Sequence, residues 1–279
     1  MDKELQELIK KLLTEKKAEW AVGYEKSYDE FSTSPAFVND PAAAGRLLFN
    51  KYCINNLGSY LNKLKKNKVA VVCKGCDIAT VFELIREKQF KRENVTIIGV
   101  ACEGVVDKRT GKLLEKCENC AVKQPVGADF TLGTAKNSPK PKSFEDVALF
   151  EKKSSKEKAE FWERQFEKCI RCYACRNVCP VCYCPDCFAQ RSMPEYLSKH
   201  VEAGENKLFH MVRMQHVFGR CTDCKACDTA CPVNIPLSLL TKKLAKDAKE
   251  LFNYESGADT DARPPLSTYD EGDSESDIM

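Results

Sequence analysis

Within the first twenty positions, Leu5, Leu8, Ile9, Leu12 and Leu13 recur on one helical face with Lys and Glu between them. This predicts an amphipathic helix. It either packs its apolar stripe on its own domain or offers it to a partner subunit, and packing is the favoured reading. Ser34-Pro35 and Asp40-Pro41 then break the pattern, so residues 1–35 read as a helix and connector. From Lys68 the period changes. Val69-Ala70-Val71-Val72 is a short β-branched run, Ile78 to Phe90 carries Val81, Phe82, Leu84 and Ile85 at helical spacing, and Val95-Thr96-Ile97-Ile98-Gly99-Val100 is a second β-branched run. Strand, helix and strand of these lengths predict a parallel sheet, with residues 36–135 as a small α/β unit.

Lys, Ser and Pro dominate from Lys136 to Ser143, which predicts a linker over 136–155. Helical character returns from Glu157 to Glu167. Leu197, Val201, Leu208, Phe209, Met211, Val212, Met214, Val217 and Phe218 predict more helix before Gly219 as a stop. The expected fold class is thus α/β, a small parallel-sheet unit, followed by a mostly α-helical domain over 156–254. Beyond Glu255 the chain is acidic and holds too little apolar surface to fold, so 255–279 is expected to be a disordered tail.

Composition narrows the class. The chain has 279 residues, 43% hydrophobic and 30% charged, and no apolar run long enough to span a bilayer or serve as a signal core. A cytoplasmic protein without direct membrane insertion is expected. Net charge is +3, but the last 25 residues hold eight acidic groups and one Arg, which leaves 43 basic against 33 acidic residues elsewhere. No basic helix with base-reading residues accompanies that excess, so nucleic acid is not an expected partner. The outlier is 17 cysteines. An odd number rules out complete disulfide pairing, and tight C-x-x-C spacing in a long intracellular chain points to metal.

Cys169, Cys172, Cys175 and Cys179 form a C-x₂-C-x₂-C-x₃-C-P run, and Cys221, Cys224, Cys227 and Cys231 repeat it. Three cysteines at three-residue steps wrap one cubane, while the fourth, before a proline, leans toward the neighbouring cluster. The expected ligand sets for two [4Fe–4S] clusters are therefore Cys169, Cys172, Cys175 and Cys231, and Cys221, Cys224, Cys227 and Cys179. Four-cysteine zinc is the competing chemistry, but it ordinarily uses two separated pairs. The long gap between the repeats favours a helical ferredoxin-type domain. His200, His210 and His216 lie in that gap and are assigned core or surface roles. Cys182, Cys184 and Cys187 are surplus: they either bind a further metal, together with Cys53, or pack beside the first cluster. In the α/β unit, Cys73 and Cys76 end the first strand and Cys102 follows the second, where parallel strands converge on a ligand crevice. Cys76, Cys102, Cys117 and Cys120 are the best set there for a third [4Fe–4S] cluster or a zinc. Buried free thiols are the alternative.

These residues carry a resemblance. Val71 to Ala79 and Ile97 to Gly104, with Cys73, Cys76 and Cys102, are similar to the beta subunits of deazaflavin-coenzyme-reducing hydrogenases and formate dehydrogenases, as are Cys117-x-x-Cys120, Ala128 to Gly133 and Tyr52 to Leu57. It spans residues 36–135. It implies FAD, a [4Fe–4S] cluster and electron exchange with a soluble coenzyme. The chain departs from the family in placing the cluster domain after the α/β unit and in lacking a glycine-rich phosphate loop, which weighs against FAD. The expected function is an iron–sulfur relay between catalytic and flavin-containing subunits of a redox complex of hydrogenase, formate dehydrogenase or heterodisulfide-reductase type. No acid–base or nucleophile constellation marks an independent enzyme. The alternatives are a flavin-dependent reductase of a soluble coenzyme, and a zinc-binding or redox-sensing regulator.

Overall fold

The computed structural model describes residues 1–118, 120–136 and 143–267. The Pro-rich centre of the expected linker and positions 268–279 of the acidic tail lie outside the described residues. Helix α1 (Asp2–Thr14) buries Leu5, Ile9, Leu12 and Leu13 against the core of its own unit. Each such side chain contributes about 1.5–3 kcal/mol of apolar burial, so the packed reading of this helix holds.

The sheet begins earlier than the sequence suggests. Strands β1 (Trp20–Lys26), β2 (Thr33–Val38) and β3 (Leu47–Leu48) precede helix α2 (Gly58–Leu61), β4 (Val69–Cys73), helix α3 (Gly75–Arg86) and β5 (Val95–Val100). Helix α4 (Glu115–Glu118) and β6 (Phe130–Leu132) complete this unit. The strand order is β2-β1-β4-β5-β6, with β3 also on β1. β1, β4, β5 and β6 run parallel, while β2 and β3 lie antiparallel to β1. Thus residues 20–26 and 33–35, expected as a connector, are part of the sheet. Pro35 reads as a breaker in the sequence, yet it sits in β2 at the sheet edge, where a missing N–H leaves no ladder bond unmade. All five residues of β4 are buried, as befits a parallel strand covered on both faces.

The C-terminal half is helical: α5 (Glu145–Glu151), α6 (Ser155–Glu167), α7 (Ala174–Asn177), α8 (Ala203–His216), α9 (Ala226–Ala230) and α10 (Leu237–Phe252). Helix α5 falls where linker was expected. It buries Val147, and its Asp146 pairs with Lys242 of α10 at 2.8 Å. A Ser154–Glu157 capping box starts α6 two residues earlier than the apolar pattern does.

The two halves meet along a polar stripe of α3. One face of this helix supplies Ile78, Val81 and Leu84 to the sheet core. The other lines up Thr80, Glu83 and Glu87. Thr80 Oγ1 lies 3.0 Å from Thr222 Oγ1, Gly257 N donates to Glu83 Oε2 at 3.2 Å, and Glu87 receives Tyr183 Oη at 2.7 Å and the Arg220 guanidinium. Residues just past Glu255, expected to lack structure, are held here. A Cβ on Gly257, whose φ is +73°, would stand 2.1 Å from Ala79 O. Glu87→Ala leaves the half-buried Arg220 unpaired and frees Tyr183. We expect it to lower the unfolding free energy by about 2–3 kcal/mol, read as an earlier urea midpoint under anaerobic conditions.

Candidate metal centre

The two cysteine repeats fold as matching loops. In the first, Arg171 and Tyr173 take left-handed backbone (φ 49° and 58°). Asp223 and Lys225 do the same at equivalent positions in the second (φ 57° and 53°). Left-handed backbone costs a non-glycine residue about 1–2 kcal/mol, and here it turns every third side chain inward. Helices α7 and α9 start directly after the second left-handed residue.

Two cavities result. One is lined by Cys169, Cys172, Cys175 and Cys231, the other by Cys221, Cys224, Cys227 and Cys179. The first encloses about 310 Å³ and the second about 350 Å³, counting the space open at their mouths. The fourth thiol crosses over in both. Backbone N–H groups turn toward the sulfurs: Arg171 N lies 3.4 Å from Cys169 Sγ and Ile235 N lies 3.3 Å from Cys231 Sγ. Among the described residues no three His, Cys, Asp or Glu side chains close on a single ion. The thiols stand around open space, whereas zinc would draw them to about 2.3 Å from one point. This donor set fits a polynuclear cluster. Burial pushes the Cys175 thiol up to about 11 and the Cys221 thiol up to about 12, the latter helped by Asp223, so ligation must displace their protons.

Helix α8 holds the first cavity together through residues that sequence reasoning treated as spacer. Buried Asn206 donates to Phe166 O at 2.9 Å and Cys169 O at 2.8 Å. His210 Nε2 lies 3.4 Å from Cys169 Sγ, with its ring stacked on Phe166 at 5.4 Å. Burial, and then the Arg213 charge, push His210 down to about 4. It is a neutral, buried core residue, as expected of a core role, with one ring nitrogen facing the Cys169 sulfur. Arg213 Nη2 donates to Cys175 O at 3.1 Å and its charge reaches Cys179, Cys182 and Cys227, so one buried guanidinium serves both cavities. The i, i+4, i+7 spacing of Asn206, His210 and Arg213 was the available signal. His200 and His216 are exposed; the His200 carbonyl accepts from Arg171, while the His216 carbonyl accepts from Arg220 and its ring packs edge-on against Phe188.

The α/β cysteines gather at the carboxyl ends of β4 and β5. Cys76 and Cys120 line one cleft. Cys102 neighbours Cys117, and burial raises its pKa. Cys117 Sγ accepts from Val105 N at 3.4 Å. Buried Cys53 also neighbours Cys102. Cys73 is fully buried in the sheet core. Among these thiols lies the buried pair of Lys74 Nζ and Asp77 Oδ2, 2.7 Å apart. Lys74 also donates to Tyr24 Oη at 2.6 Å and Asn55 O at 2.8 Å. Gly75 permits the fit, because a Cβ there would stand 2.0 Å from Val122 O in the segment that follows Cys120. The cleft has an open volume of about 2020 Å³ and reaches Thr222 and Lys225 of the second repeat. Lys116 Nζ donates to Cys224 O at 3.0 Å, joining the α/β constellation to the second cavity.

Two outcomes follow from this geometry. His210→Ala removes a hydrogen-bond donor from a ligand sulfur, and such donors stabilise the reduced, more negative cluster. The variant is therefore expected to shift the potential of one cluster to a more negative value in a redox titration followed by electron paramagnetic resonance (EPR), leaving the other in place. Because the thiols are protonated when free, cluster retention against a chelator is expected to improve as pH rises from 6 to 8.5. Iron content after dialysis reads this directly.

Comparison with known proteins agrees with the architecture. Residues 165–235 match the family described as 4Fe-4S dicluster domain. The chain is 22% identical to the F420-dependent formate dehydrogenase subunit beta of Methanocaldococcus jannaschii, with 93% of this chain and 92% of that protein covered. It is 23% identical to the F420-dependent formate dehydrogenase 1 subunit beta of Methanococcus maripaludis, at 93% and 91% coverage. Both alignments are longer than the chain itself, so these relatives carry segments without a counterpart here. The chain is thus a homologue of F420-dependent formate dehydrogenase beta subunits, with a 4Fe-4S dicluster domain in its C-terminal half.

Proposed function

We propose that this chain is the iron–sulfur electron-transfer subunit of a formate dehydrogenase-type complex, placed between a catalytic subunit and a flavin-containing partner. The observation that carries this reading is the pair of crossed four-thiol cavities with one buried guanidinium between them. Cys169, Cys172, Cys175 and Cys231 hold one [4Fe–4S] cluster, and Cys221, Cys224, Cys227 and Cys179 hold the other. Cys76, Cys102, Cys117 and Cys120 hold a third at the sheet end. When bound, such clusters accept and release single electrons at potentials set by charge, hydrogen bonds and exposure.

The chain's own residues supply the setting for that chemistry. His210 and the loop amides donate to ligand sulfurs. Arg213 offsets thiolate charge on both sides of the gap between the cavities, and Lys116 does the same between the second cavity and the α/β thiols. Phe209, Ile235 and Leu237 keep water from the first cavity.

A second reading is supported by the cleft between Cys76, Cys120 and the second repeat, which has room for an organic redox group. If the purified chain carries about one flavin, it is a flavin-dependent reductase of a soluble coenzyme and not only a relay.

The relay reading is tested by metal analysis of the full chain purified without oxygen. Cys172→Ala, Cys224→Ala and Cys117→Ala are each expected to lose about four irons with matching sulfide relative to the parent, while circular dichroism shows the sheet retained. Unchanged iron in a variant removes its ligand set from the proposal, and zinc without sulfide in the parent overturns the function.

A further inference from the structure

A separate group of thiols lies outside both four-thiol cavities. Cys182, Cys184 and Cys187 follow the last cysteine of the first repeat and line one cavity together with Arg176, Arg213 and Arg220. Its open volume is about 420 Å³, above the 310 and 350 Å³ of the two four-thiol cavities. Cys182 N donates to Cys179 O at 3.1 Å, and the two thiols are in contact, so this cavity adjoins the second four-thiol site.

Its walls hold more cationic donors than acceptors, and the Cys182 thiol already leans on Arg213. Arg220 is committed to Glu87, but Arg176 Nη1 and Arg213 Nε are buried and have no hydrogen-bond partner. A buried cationic donor without an acceptor is costly, so the cavity calls for an anion. Its own thiols supply one if they ligate metal as thiolates. Three thiols and an imidazole line this one cavity, the donor number and types that a four-iron cubane takes.

We propose that Cys182, Cys184 and Cys187 hold a further [4Fe–4S] cluster beside the second four-thiol site, with Arg176 and Arg213 as its charge partners. His216 of α8 lines the same cavity and offers an imidazole to the fourth iron, a ligand type known for iron–sulfur centres. Ligation is a substitution: each thiol gives its proton to solvent, its sulfur replaces a ligand already on iron, and no oxidation state changes. Cys184 is exposed, so this cluster would bring the redox chain to the surface at a second point.

The test uses the full chain, purified anaerobically and replete in iron. In native iodoacetamide labelling with peptide mapping, Cys184 is expected to stay unmodified until a chelator and oxidant strip the iron. Because that thiol is otherwise open to solvent, its modification in the iron-replete chain overturns the proposal. The Cys184→Ala/Cys187→Ala variant is expected to lose about four irons and four sulfides while keeping the EPR signals that vanish in Cys172→Ala and Cys224→Ala. Unchanged iron overturns the proposal without touching the relay reading, which rests on other cysteines. If the double variant does not fold, the labelling of the parent chain decides.

Discussion

Each four-thiol cavity takes its fourth wall from the other cysteine repeat, and the C-terminal half is organised around that exchange. Cys179 must reach the loop of Cys221 to Cys227, and Cys231 must reach the loop of Cys169 to Cys175. Neither loop can close alone. About forty residues separate Cys179 from Cys221, and α8 is the rigid part of that span. Its buried face carries Asn206, His210 and Arg213, which bind the Cys169 carbonyl, the Cys169 sulfur and the Cys175 carbonyl. The helix that separates the repeats also fixes the first loop, so a shift of one turn would break all three contacts.

Burying several thiolates at once is an electrostatic problem, and the solution explains where the buried cations sit. Desolvation raises Cys175, Cys221, Cys224 and Cys227, and the Cys182 hydrogen bond followed by burial raises Cys179. Positive charge placed between sites serves two neighbours at once. Arg213 does so between the two cavities, and Lys116 does so between Cys76 and Cys224, lowering both. Lys74 reaches Cys53, Cys76 and Cys102, with Asp77 tempering it. An uncompensated charge in these positions would cost several kcal/mol. The lysine surplus of the sequence is therefore partly structural, although most of it remains on the solvated surface.

The local signals in the sequence were sound where chemistry or periodicity repeats. β4 and β5 lie where β-branched runs place them, α1 packs by its apolar stripe, and the repeats fold as equivalent loops with left-handed residues at matching positions. Tertiary context hid the rest. β2 contains Pro35, which an edge strand tolerates, and β1 has Gly23 in its interior and no alternation because it is buried on both faces. α5 is short, and its buried contact is a single Val147. His210 and Arg213 could not be told from surface residues, because their partners are backbone and sulfur atoms some forty positions away. A polar residue on a helix reveals its role only through what it faces.

The polar stripe on α3 determines how the two halves can communicate. An open parallel sheet binds its ligands at the carboxyl ends of its strands, and here Cys76 at that end lines the cleft that reaches the second repeat. Thr80, Glu83 and Glu87 hold the helical half against that edge through Thr222, Gly257, Arg220 and Tyr183. Apolar packing alone would allow the halves to slide, whereas directional hydrogen bonds spaced along one helix face fix a single register. In that register Lys116 touches the Cys224 carbonyl, so the sheet-end thiols, the second cavity and the first cavity lie in sequence. The two ends of this series differ. One opens into the large cleft beside Cys76 and Cys120, suited to a small redox molecule. The other reaches solvent at the exposed Cys172, suited to a protein surface. A series with a small-molecule cleft at one end and a single exposed ligand at the other is what a relay between unlike partners requires.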